Sequence, residues 1–354
     1  MKNVSKIVFV ILATLIGAGF ASGKEIYAFF FIYGKIGLLG IIISSLIISA
    51  VTYKVLKICE KNDIKTYKKF CEHLGNRNIH SKATWLVEIL NNVVNIFLVI
   101  TFYIMISGFS SLLKQEFGFN EILGSIIILS LCYLIFRNSI EGLIKISDCL
   151  VPILIVFLLY ISSKDIKIAE NYYNVFGANG YLTESNMPIY IGIIKSVLYA
   201  CYNCIILIPI LIPLSKNVEN KKHIIIISAV TFIILSTLSF AIYNLLLQGN
   251  LNIYNLEMPI IGVVKKYGLI YKNVYIAIIA ISIFTSAVST GCSVLSNTST
   301  SNRSYKWHSM LMCLTATFVS QISFSSLVEL LYPILGIFGV FEVCVLSRKW
   351  DDLW

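Results

Sequence analysis

Charge is scarce in this chain. Asp, Glu, Lys and Arg make up 13% of its 354 residues, about half the share found in ordinary soluble domains. A polypeptide so short of charge cannot cover a water-facing surface, which excludes a plain soluble fold. The four histidines (His73, His80, His223, His308) and nine cysteines are scattered, and none falls into a metal-ligand spacing. Cys201-x-x-Cys204 has the spacing of a redox pair, but it lies inside a hydrophobic segment without thioredoxin-like context. No ATP-binding motif is present, which argues against primary active transport by this chain alone. No convergent nucleophile and base stands out, so the chain reads as a non-enzyme needing no cofactor.

What is abundant is apolar sequence. Hydrophobic residues account for 57% of the chain, and mean hydropathy is +0.83. Runs near 20 residues recur, the length needed to cross a bilayer as a helix. Hydropathy places ten spans at about 5–34, 36–59, 83–113, 119–137, 140–163, 188–214, 222–247, 272–300, 307–322 and 324–346. The net charge of +10 resides in short segments between spans, a membrane-topology pattern rather than a nucleic-acid footprint. Most lysines and arginines collect on one side, which predicts cytoplasmic N- and C-termini in a multi-pass protein of the cytoplasmic membrane. Between the seventh and eighth spans, residues 248–268 are neither long nor apolar enough to cross. Glu257-Met258-Pro259 followed by Ile260, Ile261, Val263 and Val264 predicts a short amphipathic helix that lies on the surface or caps a cavity.

The first span is interrupted by Gly17-Ala18-Gly19-Phe20-Ala21-Ser22-Gly23-Lys24-Glu25. Three glycines, each costing a helix about 1 kcal/mol, together with a serine and two charges, predict a broken helix. Non-helical backbone at membrane depth is tolerated only where it faces protein or a water-filled cavity. The spacing G-x-G-x-x-x-G fails the dinucleotide-binding pattern and lacks its strand. A cleaved signal peptide fits poorly, because the apolar run resumes after Glu25. Close helix packing at the glycines is the remaining alternative to a binding role. The sixth span is also interrupted, by Lys195, Ser196, Tyr199, Tyr202 and Asn203, with Pro209 and Pro213 following. Matching interruptions in two halves point to an inverted-repeat transporter with its site between them. The chain then reads as one domain over 1–354, with repeats over about 5–163 and 188–346 and an outer lid over 248–271.

Polar residues within spans each need a reason. Glu88, Asn91, Asn92 and Asn95 share one face of the third span, lining a cavity or bonding neighbouring helices. Ser282, Thr285, Ser286 and Ser289 share a face of the eighth and offer the hard oxygens an alkali cation uses. Lys145 in the fifth span either belongs to the topology signal or stands where a sodium ion would sit. Glu88, Lys195 and Glu329 are assigned no function.

Thr14 to Glu25 resembles the opening of the YkvI-like bacterial membrane proteins. These are similar in turn to the amino acid-polyamine-organocation superfamily with the LeuT-type fold. The resemblance implies an all-α membrane protein of ten transmembrane helices, a five-plus-five inverted repeat with helices 1 and 6 broken. It implies a secondary transporter of a small solute, most simply an amino acid, working by alternating access; a non-transporting receptor or assembly protein that kept the fold is the alternative. Gly17, Ala18, Gly19, Ser22 and Gly23 would offer backbone groups to substrate, with Asn92 and Asn95 flanking, Tyr202 and Asn203 at the second break, and Phe20 and Tyr202 closing the site. Thr285 and Ser286 match the superfamily's sodium pair, with Ser282 beside them and a carbonyl near Gly17. Lys145 corresponds to the fifth-helix lysine of sodium-independent members, so the coupling ion stays open between sodium and proton. The partners implied are the small-molecule substrate and the lipid bilayer.

Overall fold

The computed structural model describes residues 2–75, 83–136, 141–165, 168–176, 188–218, 220–299 and 301–347. Sixteen α-helices run through these, with no strand among the described residues. The first span comprises α1 (Lys2–Leu15), α2 (Ala18–Ser22) and α3 (Lys24–Phe29). Then follow α4 (Gly34–Asn62), a short connecting helix α5 (Tyr67–Gly75), α6 (Ala83–Phe117), α7 (Glu121–Phe136) and α8 (Glu141–Ser162). After α9 (Ile168–Phe176) the second half begins with α10 (Ile189–Leu214) and α11 (Lys221–Leu247). Two short helices, α12 (Leu251–Tyr254) and α13 (Pro259–Val264), precede α14 (Leu269–Thr298), α15 (Asn302–Val319) and α16 (Phe324–Ser347).

Each of the ten spans corresponds to one of these helices, the first to three pieces. Among the described residues, six helices are long and apolar enough to cross a bilayer by themselves. The bundle turns apolar side chains outward, among them Leu39, Phe318 and Ile337, each more than 60% exposed, a pattern that suits lipid rather than water. Inside, α10 packs on α4 and α16, and α6 packs on α14. Gly336 and Gly339 of α16 lie directly against the Leu198 and Cys201 carbonyls of α10, the close backbone approach that small residues permit where dispersion must hold helices together.

The first span breaks where its glycines lie. Gly17 is extended, and Gly23 takes the left-handed conformation at φ 86° between α2 and α3. The sixth span corrects the expectation of a second break, because α10 is continuous from Ile189 to Leu214. Two of its polar residues are absorbed by the helix itself: Ser196 Oγ donates to the Gly192 carbonyl at 2.7 Å, and the Asn203 amide donates to Tyr199 O at 2.9 Å. With no glycine between residues 193 and 214, nothing offsets the helix's preference to continue. Pro209 and Pro213 are accommodated in its last turns.

Residues 248–267 form a lid against the break. Asn250 caps α12, accepting from Ile253 N at 3.2 Å, and Pro259 opens α13, whose Ile260, Ile261, Val263 and Val264 are all buried. The amphipathic helix therefore caps the interior rather than lying on the surface. Three contacts pin it: Lys24 Nζ to Tyr254 O at 3.0 Å, Met258 N to Gln115 Oε1 at 3.0 Å, and the Ser325 amide and hydroxyl to Glu257 Oε2 at 2.8 and 2.7 Å.

Candidate functional site

The last turn of α1 leaves carbonyls with no helical amide to receive, because the chain leaves the helix at Gly17. Hydroxyls of α14 meet two of them. Ser286 Oγ donates to Ala13 O at 2.8 Å, and Ser282 Oγ donates to Ile16 O. Thr285 Oγ1 donates to Ser282 O at 2.9 Å, and Thr14 and Ser289 hydroxyls lie 3.4 Å apart. A cavity of about 20 Å³ is lined by Ala13, Ile16, Ser282 and Thr285 with Val151 and Leu154 of α8. That is room for about one water-sized species, bounded mostly by apolar side chains, with Ser282 and Thr285 as the polar residues of its lining. The Ser282 and Ser286 hydroxyls give their protons to the Ile16 and Ala13 carbonyls, so these oxygens satisfy one another.

On one side of this cluster opens a larger cavity of about 530 Å³. Val10 of α1, Tyr67 of α5, Asn91 of α6, Pro209 and Pro213 of α10, and Ser289, Ser293 and Asn297 of α14 line it. Lys65 and Lys68 stand among its lining residues. Ser289 thus joins the vestibule to the oxygen cluster.

On the other side of the break the arrangement is tight. Ala18 N points at Met105 Sδ, 3.3 Å away. The Glu25 side chain folds back over α2 so closely that a Cβ on Gly19 would collide with its carboxylate. Tyr202 of α10 donates its hydroxyl to Glu25 Oε2, and the Tyr332 hydroxyl of α16 and the Phe20 amide also face the carboxylate. Tyr202 stacks on Tyr332 with ring centroids 4.5 Å apart, and Tyr199 meets Tyr202 edge-on at 5.4 Å. Glu25 is 2% exposed. Just beyond it Gly23 abuts Ile260 of the lid.

The structure therefore gathers Gly17, Ala18, Gly19, Phe20, Ser22 and Gly23 with Tyr202, and sets Ser282, Thr285 and Ser286 against the end of α1. The carbonyls that meet those hydroxyls belong to Ala13 and Ile16, not to Gly17. Asn203 turns to its own helix. Asn95 is buried and accepts from Asn297 Nδ2 at 3.1 Å, whereas Asn92 is exposed and Asn91, one residue away, lines the vestibule. Lys145 lies on α8, and its side chain falls outside the described residues. Glu88 and Glu329 are exposed and Lys195 is half-buried. Glu25 and Tyr332 are the residues that spacing alone missed. Glu25 could have been found by asking why a carboxylate sits inside an apolar run; Tyr332, ahead of Pro333, gives no local signal.

No family model matches the chain. Two proteins of Bacillus subtilis (strain 168) are similar over nearly their whole length. The uncharacterized membrane protein YkvI is 24% identical over 352 residues, covering 94% of this chain and 92% of its own. The uncharacterized protein YyaD is 24% identical over 344 residues, covering 96% and 95%. Among solved structures, a substrate-bound, outward-open Na⁺-coupled sialic acid symporter superposes with a TM-score of 0.64 at 16% identity, over 96% of this chain and 78% of its own. MhsT in complex with L-phenylalanine gives 0.66 at 11% identity, over 98% and 89%. The protein is thus a multi-pass helical membrane protein with the LeuT-type fold, and its structural neighbours are transporters rather than enzymes.

Proposed function

We propose that this protein is a secondary active transporter of the YkvI-like group, carrying a small solute of amino-acid size across the cytoplasmic membrane by alternating access. One observation carries the reading: a helix broken at mid-bundle, flanked by oxygens and aromatic rings, lies between a cavity open at one end and a lid closed at the other. Such a layout exposes the break to one side of the membrane at a time. With both termini in the cytoplasm, the vestibule faces inward and the lid outward. The vestibule of about 530 Å³ falls within the usual range for small-molecule sites, and its amides and hydroxyls suit a zwitterion. A cation held by the Ala13 and Ile16 carbonyls with Ser282, Thr285 and Ser286 would tie α1 to α14 and link its gradient to vestibule closure.

The test is uptake of a panel of labelled amino acids into proteoliposomes with sodium and pH gradients imposed separately. Gradient-dependent accumulation of at least one is expected. Failure of every amino acid under either gradient would turn the reading toward a different solute or a receptor that kept the fold.

A further inference from the structure

We infer that Glu25 is a proton-binding site, loaded while the lid is closed over it and emptied when the break opens to water. Its role in coupling rests on the transport reading; the binding of the proton does not. Glu25 is 2% exposed, and among the described residues no lysine, arginine or histidine lies within ion-pair distance of it. An ionised carboxylate held at membrane depth without a countercharge is costly, so some positive charge must reach it.

The surroundings restrict which one. From α10, Tyr199 and Tyr202 face the carboxylate, and from α16 Tyr332 does so. Tyr275 of α14 is committed to Ala21 O at 2.6 Å, and Tyr243 of α11 to Gly34 O at 3.0 Å. The adjacent Lys24 points away, to Tyr254 O, where its charged neighbours are Glu257 and Glu329. Among the described residues, every titratable group turned toward Glu25 is therefore a tyrosine, a donor that carries no positive charge. The carboxylate is pressed on the Gly19 backbone on one side, and the Tyr202–Tyr332 stack closes another. A metal ion or an ammonium needs volume that this packing withholds; a proton needs none. Only an O–H bond forms or breaks in the step, and the proton is taken from and returned to water at whichever end is open.

Position supplies the consequence. Glu25 lies in the first turn of α3, one residue beyond Lys24, which holds the lid, and two beyond Gly23, the left-handed hinge against Ile260. Losing the proton would put an unpaired charge beneath the lid and favour opening the break to water. That ties one proton to one movement.

Infrared difference spectra of the lipid-reconstituted protein across a pH step test the binding directly. A protonated-carboxyl band is expected in the wild type, absent from Glu25→Gln, displaced in Glu25→Asp and kept in Glu342→Gln, which removes a second buried carboxylate. A band that survives Glu25→Gln unchanged, or no band at all, overturns the proposal. Should Glu25→Gln not fold, displacement of the band in Glu25→Asp decides. In proteoliposomes with a labelled amino-acid mixture, a one-unit inward proton gradient should drive up to about tenfold accumulation per coupled proton, and Glu25→Gln uptake, whatever its level, should ignore the gradient. A variant that still follows the gradient overturns the coupling. If the wild type takes up nothing, the transport reading fails for those solutes, and the infrared band still decides the fate of Glu25.

Discussion

The first and sixth spans carry similar warnings in sequence and end up with opposite structures. Both place polar residues in the middle of an apolar run, yet α1 to α3 are three pieces and α10 is one. The difference lies in what each polar side chain does with the backbone. In α10, Ser196 and Asn203 donate to carbonyls four residues back in their own helix, so polarity is absorbed without breaking a turn. In the first span, Gly17 and Gly23 let the chain leave the helix, and the carbonyls so released are met by another element, α14. Polarity in a membrane helix is a weak sign of a break; glycine together with an outside partner is a strong one.

Four substitutions probe that contrast. Gly19→Leu should have the largest effect, since any Cβ there strikes the Glu25 carboxylate. Overpacking of this kind costs about 1–3 kcal/mol or more, and uptake should fall by roughly tenfold to a hundredfold; unchanged uptake and thermal midpoint would show that the close approach is dispensable. Gly23→Ala comes next. A left-handed alanine costs about 1–2 kcal/mol, and its methyl meets Ile260, so faster proteolysis of the lid at 248–267 is expected, and equal protection would remove Gly23 as a hinge. Thr285→Ala deletes one hydrogen bond, worth about 1 kcal/mol, and should raise the sodium concentration needed for half-maximal uptake several-fold; identical sodium curves would count against the oxygen cluster as a cation site. Asn203→Leu should matter least. Its amide serves its own helix, so a stability change under about 1 kcal/mol is expected, and a large loss of uptake would place Asn203 in the site after all.

Much of the architecture was legible because a bilayer imposes length and polarity rules on each segment separately. The ten spans needed only local hydropathy, and the break at Gly17 only local composition. The oxygen cluster between α1 and α14 was half legible. The hydroxyl stripe of α14 follows from helical periodicity, whereas its partners, Ala13 and Ile16, offer backbone carbonyls that no side chain advertises. Asn91 and Asn92 illustrate the limit of periodicity: neighbours about 100° apart on one helix share a broad polar face, and the packing of α6 against α14 decided which one lines the vestibule.

The sequence by itself determined that this chain lives in a membrane as ten helices and that its first helix cannot run unbroken, because these depend on transfer energies and propensities of short stretches. Tertiary structure alone decided that Glu25 lies beneath Tyr202 and Tyr332, that the lid covers it, and that the vestibule opens at the opposite end. Those facts join residues separated by as many as 307 positions, and only the packed bundle brings them to one point.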